Sequence, residues 1–461
     1  MDKRICEFID SQKENFVRDL ERLVNINSVR CAPCGDAPFG EGCKKVLDEA
    51  EKILSEHGFE MTNFENYAGE TNLGKAPELM LLAHLDVVPE GDNWTRQPFR
   101  MIREGDIVYG RGTTDDKGAA VAMIYALEAI REIYGDSEKG VRLVLGCGEE
   151  TGSEDMDYYF SKRETLPYTL SPDADYPLIN IEKGRFAPFF TKNVNPDGNI
   201  ISINGGDTQN IVPPKANAVI KGIDPETVKK YCAQAEKCTG AEIKCEEENG
   251  NIRIFVMGTA AHAAQPHKGN NAQTALIKLL ADLPLNGEAH ASCKKLIELF
   301  PHKETDGQSI GVKMSDEKSG ELTLNFGVLS YADGLFRCGT DLRLPLGATK
   351  ENIKDVIENN LLSIGFSYEG DPEMRPVHFV DENSPLIKTA LAVYEDYTGK
   401  EGKCLAIGGG TYVHDIEGGV AFGIEFEGKD YRIHSNDEFA DINELLLTAK
   451  MYAQIIKELS Y

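Results

Sequence analysis

The first part of the chain alternates between helical periodicity and continuous apolar runs. Apolar residues recur at helical spacing in ENFVRDLERLVNI and in GCKKVLDEAEKILSEHG, where the pattern stops at Gly58. The runs PELMLLAHLDVV and VRLVLGCGEE predict buried strands, and DKGAAVAMIYALEAIREIYG between them predicts a helix that ends at Gly135. Because strands and helices take turns along the chain, this part predicts an α/β sheet with helices on both faces.

A different pattern begins near Arg185. The stretches ANAVIKGIDPETVKKYCAQAEKC and TDLRLPLGATKENIKDVIENNLL each predict a strand, a turn and a helix, and NIRIFVMG and LTLNFGVLSYA predict alternating strands between them. This order is typical of an antiparallel sheet with helices on one face. The α/β pattern returns after HFVDENSPLIKTALAVYEDYTG. We therefore predict an α/β domain made of residues 1–184 and 384–461, with an inserted α+β domain of residues 185–383.

Composition and charge narrow the possible partners. The chain has 461 residues, and 76 acidic against 49 basic side chains give a net charge of -27. Such an acid excess argues against binding to nucleic acid or to an anionic membrane, because both attract basic surfaces. The eleven cysteines are scattered, no apolar run approaches the roughly 18 residues of a membrane span, and the N-terminal residues show no apolar signal region. We therefore predict a cytoplasmic protein with reduced thiols.

Candidate chemistry lies where the predicted buried strands end. In α/β sheets, ligands bind outside the carboxyl ends of the strands. When several acidic side chains gather at such a sheet edge, they resist burial unless cations neutralise them. Two divalent metals about 3.5–4 Å apart would do so. Imidazole together with carboxylate fits Zn²⁺, with Mn²⁺ or Co²⁺ as possible substitutes. Five places near strand ends carry these groups: His84 and Asp86, Asp115 and Asp116, Glu149 and Glu150, Asp173 and Asp175, and His434.

Each of these motifs alone has an ordinary structural explanation. A His-x-Asp triplet often satisfies only its own hydrogen bonds, and a Glu-Glu pair before glycine is often a solvated turn. Asp115 and Asp116 could cap the helix that follows them. The prediction of a metal site therefore depends on the five places together.

Taken together, the motifs HLDVVP, GRGTTDDKG, GEETG and SPDAD and the late histidine resemble the co-catalytic zinc amidohydrolases. That family includes acetylornithine deacetylase, succinyl-diaminopimelate desuccinylase, aminoacylase, carnosinase and the PepV-type bacterial dipeptidases. The resemblance covers essentially the whole chain and is closest to the PepV-type dipeptidases. It implies a zinc-peptidase-like α/β/α catalytic domain, an inserted α+β lid domain that is ferredoxin-like but enlarged, and a monomer.

The resemblance implies a metal ligand set. Asp115 would bridge two Zn²⁺ ions, His84 and Asp173 would complete one metal site, and Glu150 and His434 would complete the other. A cis peptide bond directly after Asp115 is also implied.

Three further residues would serve the reaction itself. Glu149 resembles the general base of the family. Asp86 would accept the free N–H of His84 and fix the tautomer of the imidazole. His262, in GTAAHAAQPHKGNNA, would stabilise the oxyanion of the tetrahedral intermediate.

Four residues would contact the substrate. The resemblance implies this role for Asn210 in GGDTQNIVP, for Arg343 in TDLRLP, and for Gly409 and Thr411 in AIGGGTYV. Arg343 is suited to a bidentate grip on the C-terminal carboxylate of a peptide. An ion pair between Arg343 and a neighbouring acid is an equal alternative, and a tight turn would also explain the glycines.

The predicted function is that of a metal-dependent dipeptidase acting on dipeptides with a free N-terminus. An N-acyl amino acid deacylase with the same two metals is the main alternative, although Asp173, where deacylase relatives often carry Glu, favours the peptidase. A non-catalytic binding protein on the same fold is a more distant alternative, and loss of Glu149 would be its simplest origin. A dinuclear phosphoesterase would need basic residues to clamp a phosphate, which the motifs lack.

Overall fold

The computed structural model describes all 461 residues and divides the chain into two compact units. The first unit contains both ends of the chain, and the second contains most of the middle. Their bounds are Met1–Ile181, Phe379–Leu405 and Gly410–Tyr461 for the first unit, and Glu182–His378 and Ala406–Gly409 for the second.

The short segment Ala406–Gly409 lies outside the predicted inserted domain of residues 185–383, yet it belongs to the second unit. Hydrogen bonds explain this placement. The N–H of Lys183 donates to the carbonyl of Ile407 at 2.9 Å, and Nη1 of Arg343 donates to the carbonyl of Gly408 at 2.6 Å. These bonds join the segment to the second unit's own backbone and side chains.

Eleven α-helices are present, and none is both long enough and apolar enough to cross a bilayer. In chain order they are α1 (Lys3–Ser11), α2 (Lys13–Val24), α3 (Glu41–Glu56), α4 (Lys117–Tyr134), α5 (Glu154–Phe160), α6 (Pro225–Thr239), α7 (Ala272–Asp282), α8 (Glu288–Leu299), α9 (Asp355–Ser363), α10 (Pro385–Thr398) and α11 (Ile442–Ser460).

The strands form two large sheets and three small ones. In chain order they are β1 (Thr62–Phe64), β2 (Ala68–Gly74), β3 (Ala76–His84), β4 (Ile102–Glu104), β5 (Ile107–Tyr109), β6 (Lys139–Gly146), β7 (Tyr168–Ser171), β8 (Ala174–Asp175), β9 (Leu178–Glu182), β10 (Gly184–Phe186), β11 (Phe189–Asn193), β12 (Ile200–Gly205), β13 (Lys215–Lys221), β14 (Glu242–Glu248), β15 (Asn251–Met257), β16 (Ser315–Asp316), β17 (Gly320–Glu321), β18 (Thr323–Ala332), β19 (Leu335–Leu344), β20 (Ser367–Tyr368), β21 (Met374–Arg375), β22 (His378–Phe379), β23 (Cys404–Ile407), β24 (Gly419–Ala421), β25 (Ile424–Glu425) and β26 (Phe439–Asp441).

The first unit is built on a mixed sheet with the order β1-β2-β6-β3-β7-β24-β9-β22. Its central strands β6, β3, β7 and β24 run parallel, whereas β2 and β9 pair with them antiparallel. Helix α4 packs against α2, α11 and β3 and is buried along most of its length. Burial on all sides explains why its apolar residues do not keep to one face. The prediction of an α/β domain is confirmed.

The parallel strands of this sheet end at one edge. Strand β3 ends at His84, β6 ends at Gly146 and β7 ends at Ser171. The residues that follow these strands therefore emerge side by side, which is the usual position of a ligand site in an α/β sheet.

The second unit contains an antiparallel sheet of ten strands, and β14-β15-β13-β12-β18-β19-β10-β21 is the order along its main path. One face of this sheet and helices α6 to α9 form a single apolar core. In β19, Phe336 and Leu342 enter that core, whereas Arg337, Asp341 and Arg343 alternate with them and lie on the opposite face. The prediction of an α+β inserted domain is confirmed.

Candidate active site

The loops at the edge of the parallel strands bring six acidic and imidazole side chains together within the first unit. His84 is the last residue of β3, Glu149 and Glu150 follow β6, and Asp173 follows β7. Asp115 lies two residues before α4 begins, and His434 lies in the segment between β25 and β26. The structure therefore gathers every residue that was predicted to hold metal.

Asp115 lies between the two imidazoles. Its Oδ1 is 3.0 Å from Nε2 of His84, and its Oδ2 is 2.9 Å from Nε2 of His434. Nε2 of His434 is also 3.0 Å from Oε1 of Glu150, and Nε2 of His84 is 3.9 Å from Oδ2 of Asp173. A carboxylate with one oxygen facing each imidazole has the arrangement that a bridging ligand needs, with one further acid on each side.

The electrostatics of this cluster favour added positive charge. Burial and the charge of Asp115 raise the pKa of Asp173 to about 8. Burial likewise raises the pKa of Glu150. Hydrogen bonds to Asp115 and Glu150 raise the pKa of His434 to about 11. These raised pKa values mean that the side chains of the cluster bind protons readily, because added positive charge offsets the clustered acids. Imidazole nitrogens and carboxylate oxygens together are also a donor set that fits divalent transition metals.

Glu149 lies beside the same cluster. One carboxylate oxygen of Glu149 and one potential ligand atom each of His84 and Asp173 all lie within 4.8 Å of one another. Burial, together with the charge of Asp173, raises the pKa of Glu149 well above its ordinary value. A carboxylate in such a place holds a proton readily and can release it again, as a general base must.

Asp86 is fully buried and contacts both His84 and the loop that carries Glu149 and Glu150. Its Oδ1 accepts the main-chain N–H of Glu149 at 3.2 Å, and its Oδ2 accepts that of Glu150 at 3.1 Å. The nearest acceptor for Nδ1 of His84 is the main-chain carbonyl of Asp86 at 3.0 Å, whereas the Asp86 carboxylate is 3.4 Å away. Asp86 thus contacts His84 as predicted, but its carboxylate mainly holds the loop that carries the two glutamates.

Asp116 follows Asp115 through a cis peptide bond and is fully buried. Its Oδ2 accepts the main-chain N–H of His84 at 3.0 Å, and burial raises its pKa well above the ordinary value. Asp116 precedes α4 but makes no capping hydrogen bond through its side chain. It therefore supports the strand end of β3, while Asp115 alone contacts both imidazoles.

Glu438 is a contributor that the sequence analysis missed. It is fully buried, and its Oε1 accepts the main-chain N–H groups of Thr114 at 3.0 Å and Asp115 at 3.2 Å. Its Oε2 accepts the N–H of Gly112 at 3.0 Å and Nη1 of Arg111 at 2.8 Å. Glu438 thereby shapes the loop that presents Asp115, and its only signal in the sequence was an acid shortly after the late histidine.

Asp155 is the second missed contributor. Its Oδ2 accepts the main-chain N–H groups of Cys147 at 2.7 Å and Gly148 at 2.8 Å, and also the hydroxyl of Tyr412. Burial raises the pKa of Asp155 to about 6. The ring of Tyr412 lies edge-on to that of His84. Asp155 therefore supports the start of the loop after β6, and Asp86 supports the two glutamates that follow in it.

Asn210 and His262 lie on neighbouring segments of the second unit. Ile211 forms an isolated antiparallel bridge with His262, and the N–H of Ala263 donates to the Asn210 carbonyl at 2.9 Å. His262 is exposed, and its Nδ1 accepts the N–H of Ala264 at 3.2 Å. The structure thus places Asn210, predicted to contact the substrate, beside His262, predicted to stabilise the oxyanion.

Arg343 lies in the second unit and is largely buried. Its Nε donates to Oδ1 of Asp341 at 2.6 Å, and its Nη1 donates to the carbonyl of Gly408 at 2.6 Å. The ion pair with a neighbouring acid, left open by the sequence, is therefore present.

Around Gly409 no atom lies within 4 Å of the place where a Cβ would stand. Thr411 belongs to the first unit, where its hydroxyl accepts the N–H of the residue two places later at 3.3 Å.

Comparisons with known proteins match this chain to peptidases. A family profile described as Peptidase family M20/M25/M40 matches residues 80–458. A Bacillus subtilis (strain 168) protein with a provisional dipeptidase name is 34% identical over 463 residues, covering 97% of this chain and 98% of the relative. The Beta-Ala-Xaa dipeptidase of Lactobacillus delbrueckii subsp. lactis is 33% identical over 473 residues, covering 100% and 99%. The crystal structure of human carnosine dipeptidase 1 shares the fold, with a TM-score of 0.61, 15% identity and coverage of 99% and 98%.

Proposed function

Because the chain belongs to peptidase family M20/M25/M40, we propose that it is a metal-dependent dipeptidase that hydrolyses the peptide bond of dipeptides with a free N-terminus. The observation that carries this proposal is the Asp115 carboxylate, which has one oxygen on each of the two imidazoles. The name of the Lactobacillus relative, Beta-Ala-Xaa dipeptidase, supports the choice of substrate class.

The proposed cofactors are two Zn²⁺ ions, with Mn²⁺ or Co²⁺ as substitutes. His84 and Asp173 would hold one ion, Glu150 and His434 the other, and Asp115 both. When bound, such a pair supplies Lewis acidity, which polarises the scissile carbonyl and lowers the pKa of water toward about 7.

Glu149 acts as the proton carrier in this proposal. It takes a proton from the attacking water and returns it to the leaving amine as the peptide bond breaks. Its burial suits this task, because a carboxylate with a raised pKa gives up its proton less readily to bulk water. Asp86 keeps Glu149 in place, because its carboxylate accepts the main-chain N–H groups of Glu149 and Glu150.

Further residues would contact the substrate in this proposal. Arg343 would bind the C-terminal carboxylate, His262 would stabilise the oxyanion, and Asn210 would contact the peptide. Roles for Gly409 and Thr411 rest on the family resemblance alone. A monomeric state and a cytoplasmic location are likewise proposals.

The test is hydrolysis by metal-free protein after resupply of Zn²⁺ or Mn²⁺, with Ala-Ala, Ala-Ala-Ala and N-acetyl-alanine side by side. We expect metal-dependent cleavage of Ala-Ala and little cleavage of the other two. Preferred cleavage of N-acetyl-alanine would replace the dipeptidase by a deacylase with the same site. Metal binding without cleavage of any of the three would favour a binding protein.

A further inference from the structure

The two glutamates of the site lie in one tight turn that is held at its beginning by Asp86. Glu149–Thr151 form a single turn of 3₁₀-helix, and the carboxylate of Asp86 accepts the main-chain N–H groups of Glu149 and Glu150. The hydrogen bonds within a 3₁₀ turn have poorer geometry than those of an α-helix. The orientation of this turn therefore depends on contacts that reach it from other parts of the chain.

Arg30 contacts the other end of this turn. Its Nη1 donates to Oγ1 of Thr151 at 2.8 Å, and its Nη2 donates to Oε2 of Glu154 at 2.7 Å. Its guanidinium group also lies over the ring of Phe39, 4.8 Å from the ring centroid. Phe39 is buried and packs against the start of the same loop, since a Cβ at Gly148 would lie 3.2 Å from Cζ of the ring. Arg30 and Phe39 thus contact both ends of the loop that carries the glutamates.

The segment that carries Arg30 is itself fixed to the residues after β3. Oγ of Ser28 donates to the carbonyl of Leu85 at 2.7 Å, and the N–H of Val87 donates to the carbonyl of Ser28 at 3.3 Å. Ser28 thus binds both chain neighbours of Asp86. Arg30, two residues later, therefore joins this strand end to the loop after β6, and all of these residues belong to the first unit.

The bond to Thr151 is the stronger part of this link. The side chain of Glu154 is 59% exposed, and an ion pair with such a group contributes little. The side chain of Arg30 is only 26% exposed, and a charged donor makes a hydrogen bond roughly twice as strong as a neutral one. Because Thr151 directly follows Glu150, this bond restrains the turn at the residue next to the glutamates.

We propose that Arg30 is a positioning residue for the general base Glu149. Arg30 holds the last residue of the turn while Asp86 holds its first two N–H groups, so Glu149 keeps one orientation toward the attacking water. This inference rests on the proposed dipeptidase function and adds to it a residue that acts through the turn. Without Arg30 the turn is fixed at one end only, and the base is less often in the reactive position.

The test measures hydrolysis of Ala-Ala at saturating Zn²⁺, with the Zn²⁺ content and circular dichroism of each variant recorded. For Arg30→Met, which removes every donor, we expect kcat to fall about 10-fold while KM changes little, because a misplacement of about 1 Å costs up to about 10²-fold. Arg30→Lys should recover part of the loss, since its ammonium group still donates. Bound Zn²⁺ should equal that of the wild type.

Thr151→Val removes the acceptor of the same bond instead of the donor. It should lower kcat by a similar factor. The double variant of Arg30→Met and Thr151→Val should lose no more than Arg30→Met alone, because both changes break one bond and their effects are then not additive.

Arg131→Met is the matched control. The side chain of Arg131 is 27% exposed, pairs with Glu132 at 2.9 Å and lies over the ring of Phe59, 4.6 Å from its centroid. It lies near the end of α4, about 21 Å along the helix axis from Lys117, where α4 begins. This variant should keep the kcat and KM of the wild type even where its melting temperature falls.

Two results would overturn the inference while leaving the dipeptidase in place. One is a wild-type kcat in folded Arg30→Met; the other is an equal fall of kcat in Arg131→Met, which would assign the loss to general destabilisation. Should Arg30→Met fail to fold, a wild-type kcat in Thr151→Val would overturn it equally. A wild-type protein that does not cleave Ala-Ala with metal bound would instead remove the proposed function, and this inference with it.

Discussion

Replacing Glu438 by glutamine should weaken metal binding through the loop that presents Asp115. One oxygen of Glu438 accepts the N–H groups of Thr114 and Asp115, and the other accepts those of Gly112 and Arg111. Glutamine replaces one oxygen by an NH₂ group, so two donors lose their acceptor whichever way the amide turns. At about 1–3 kcal/mol for each buried group left unsatisfied, the loop is destabilised by about 2–6 kcal/mol.

The loop can relieve this loss only by moving, and movement displaces the Asp115 carboxylate from the imidazoles. Partners of metal ligands typically contribute about 10- to 100-fold to metal affinity, and we expect a loss of that size. The assay is titration of metal-free protein with Zn²⁺ against a chelating indicator, with circular dichroism to verify the fold. Asp437→Asn is the control, because the neighbouring Asp437 binds Thr95 instead. Wild-type affinity in folded Glu438→Gln would refute the reasoning.

Three further predictions follow from the site and from a buried cluster elsewhere in the first unit. Glu149→Gln should keep its metal content and lose about 10²- to 10⁴-fold in kcat; turnover near wild type would exclude Glu149 as the base. Zn²⁺ at about 100 times its Kd should stabilise the metal-free protein by about 2.7 kcal/mol in thermal melts, and a missing shift would argue against a folded-state metal site. Burial opposes the charge of His57, but Asp19 and Glu128 at 3.0 and 2.9 Å raise its pKa from 6.5 to about 9. This imidazolium should therefore stabilise the fold by about 3 kcal/mol below pH 6.5, an effect lost as pH rises through 9; a pH-independent difference between wild type and His57→Gln in urea unfolding would contradict it.

The grouping of several candidate ligands could be predicted because strand geometry leaves a trace in the sequence. The apolar runs of β3 and β6 end directly at His84 and shortly before Glu149. Parallel strands place such ends at one edge of the sheet, so the residues that follow these runs were expected to lie close together. Within a pair of adjacent acids, it was harder to predict which residue makes which contact. Only the folded chain shows that Asp115 contacts both imidazoles and that Asp116 accepts the main-chain N–H of His84.

The supporting residues could not be predicted for a physical reason. Glu438 and Asp155 act on main-chain N–H groups, which every residue except proline carries, so no side-chain pattern marks their partners. Arg30 and Thr151 are 121 positions apart in the sequence, and their contact depends on the completed fold. Asp86 was assigned to His84 from its spacing, whereas its carboxylate mainly accepts N–H groups of the loop after β6.

The bond between Glu438 and the N–H of Asp115 joins residues 323 positions apart, and this separation sets an order of events during synthesis. At about 5–20 residues per second, a ribosome needs roughly 15 to 65 s to pass from the first of these residues to the second. For most of that interval the emerging chain carries His84, Asp115 and both glutamates, but neither the second imidazole nor the acid that shapes the Asp115 loop. The complete centre can therefore form only near the end of translation, and a chain cut short before His434 is a nascent peptide without an assembled metal site.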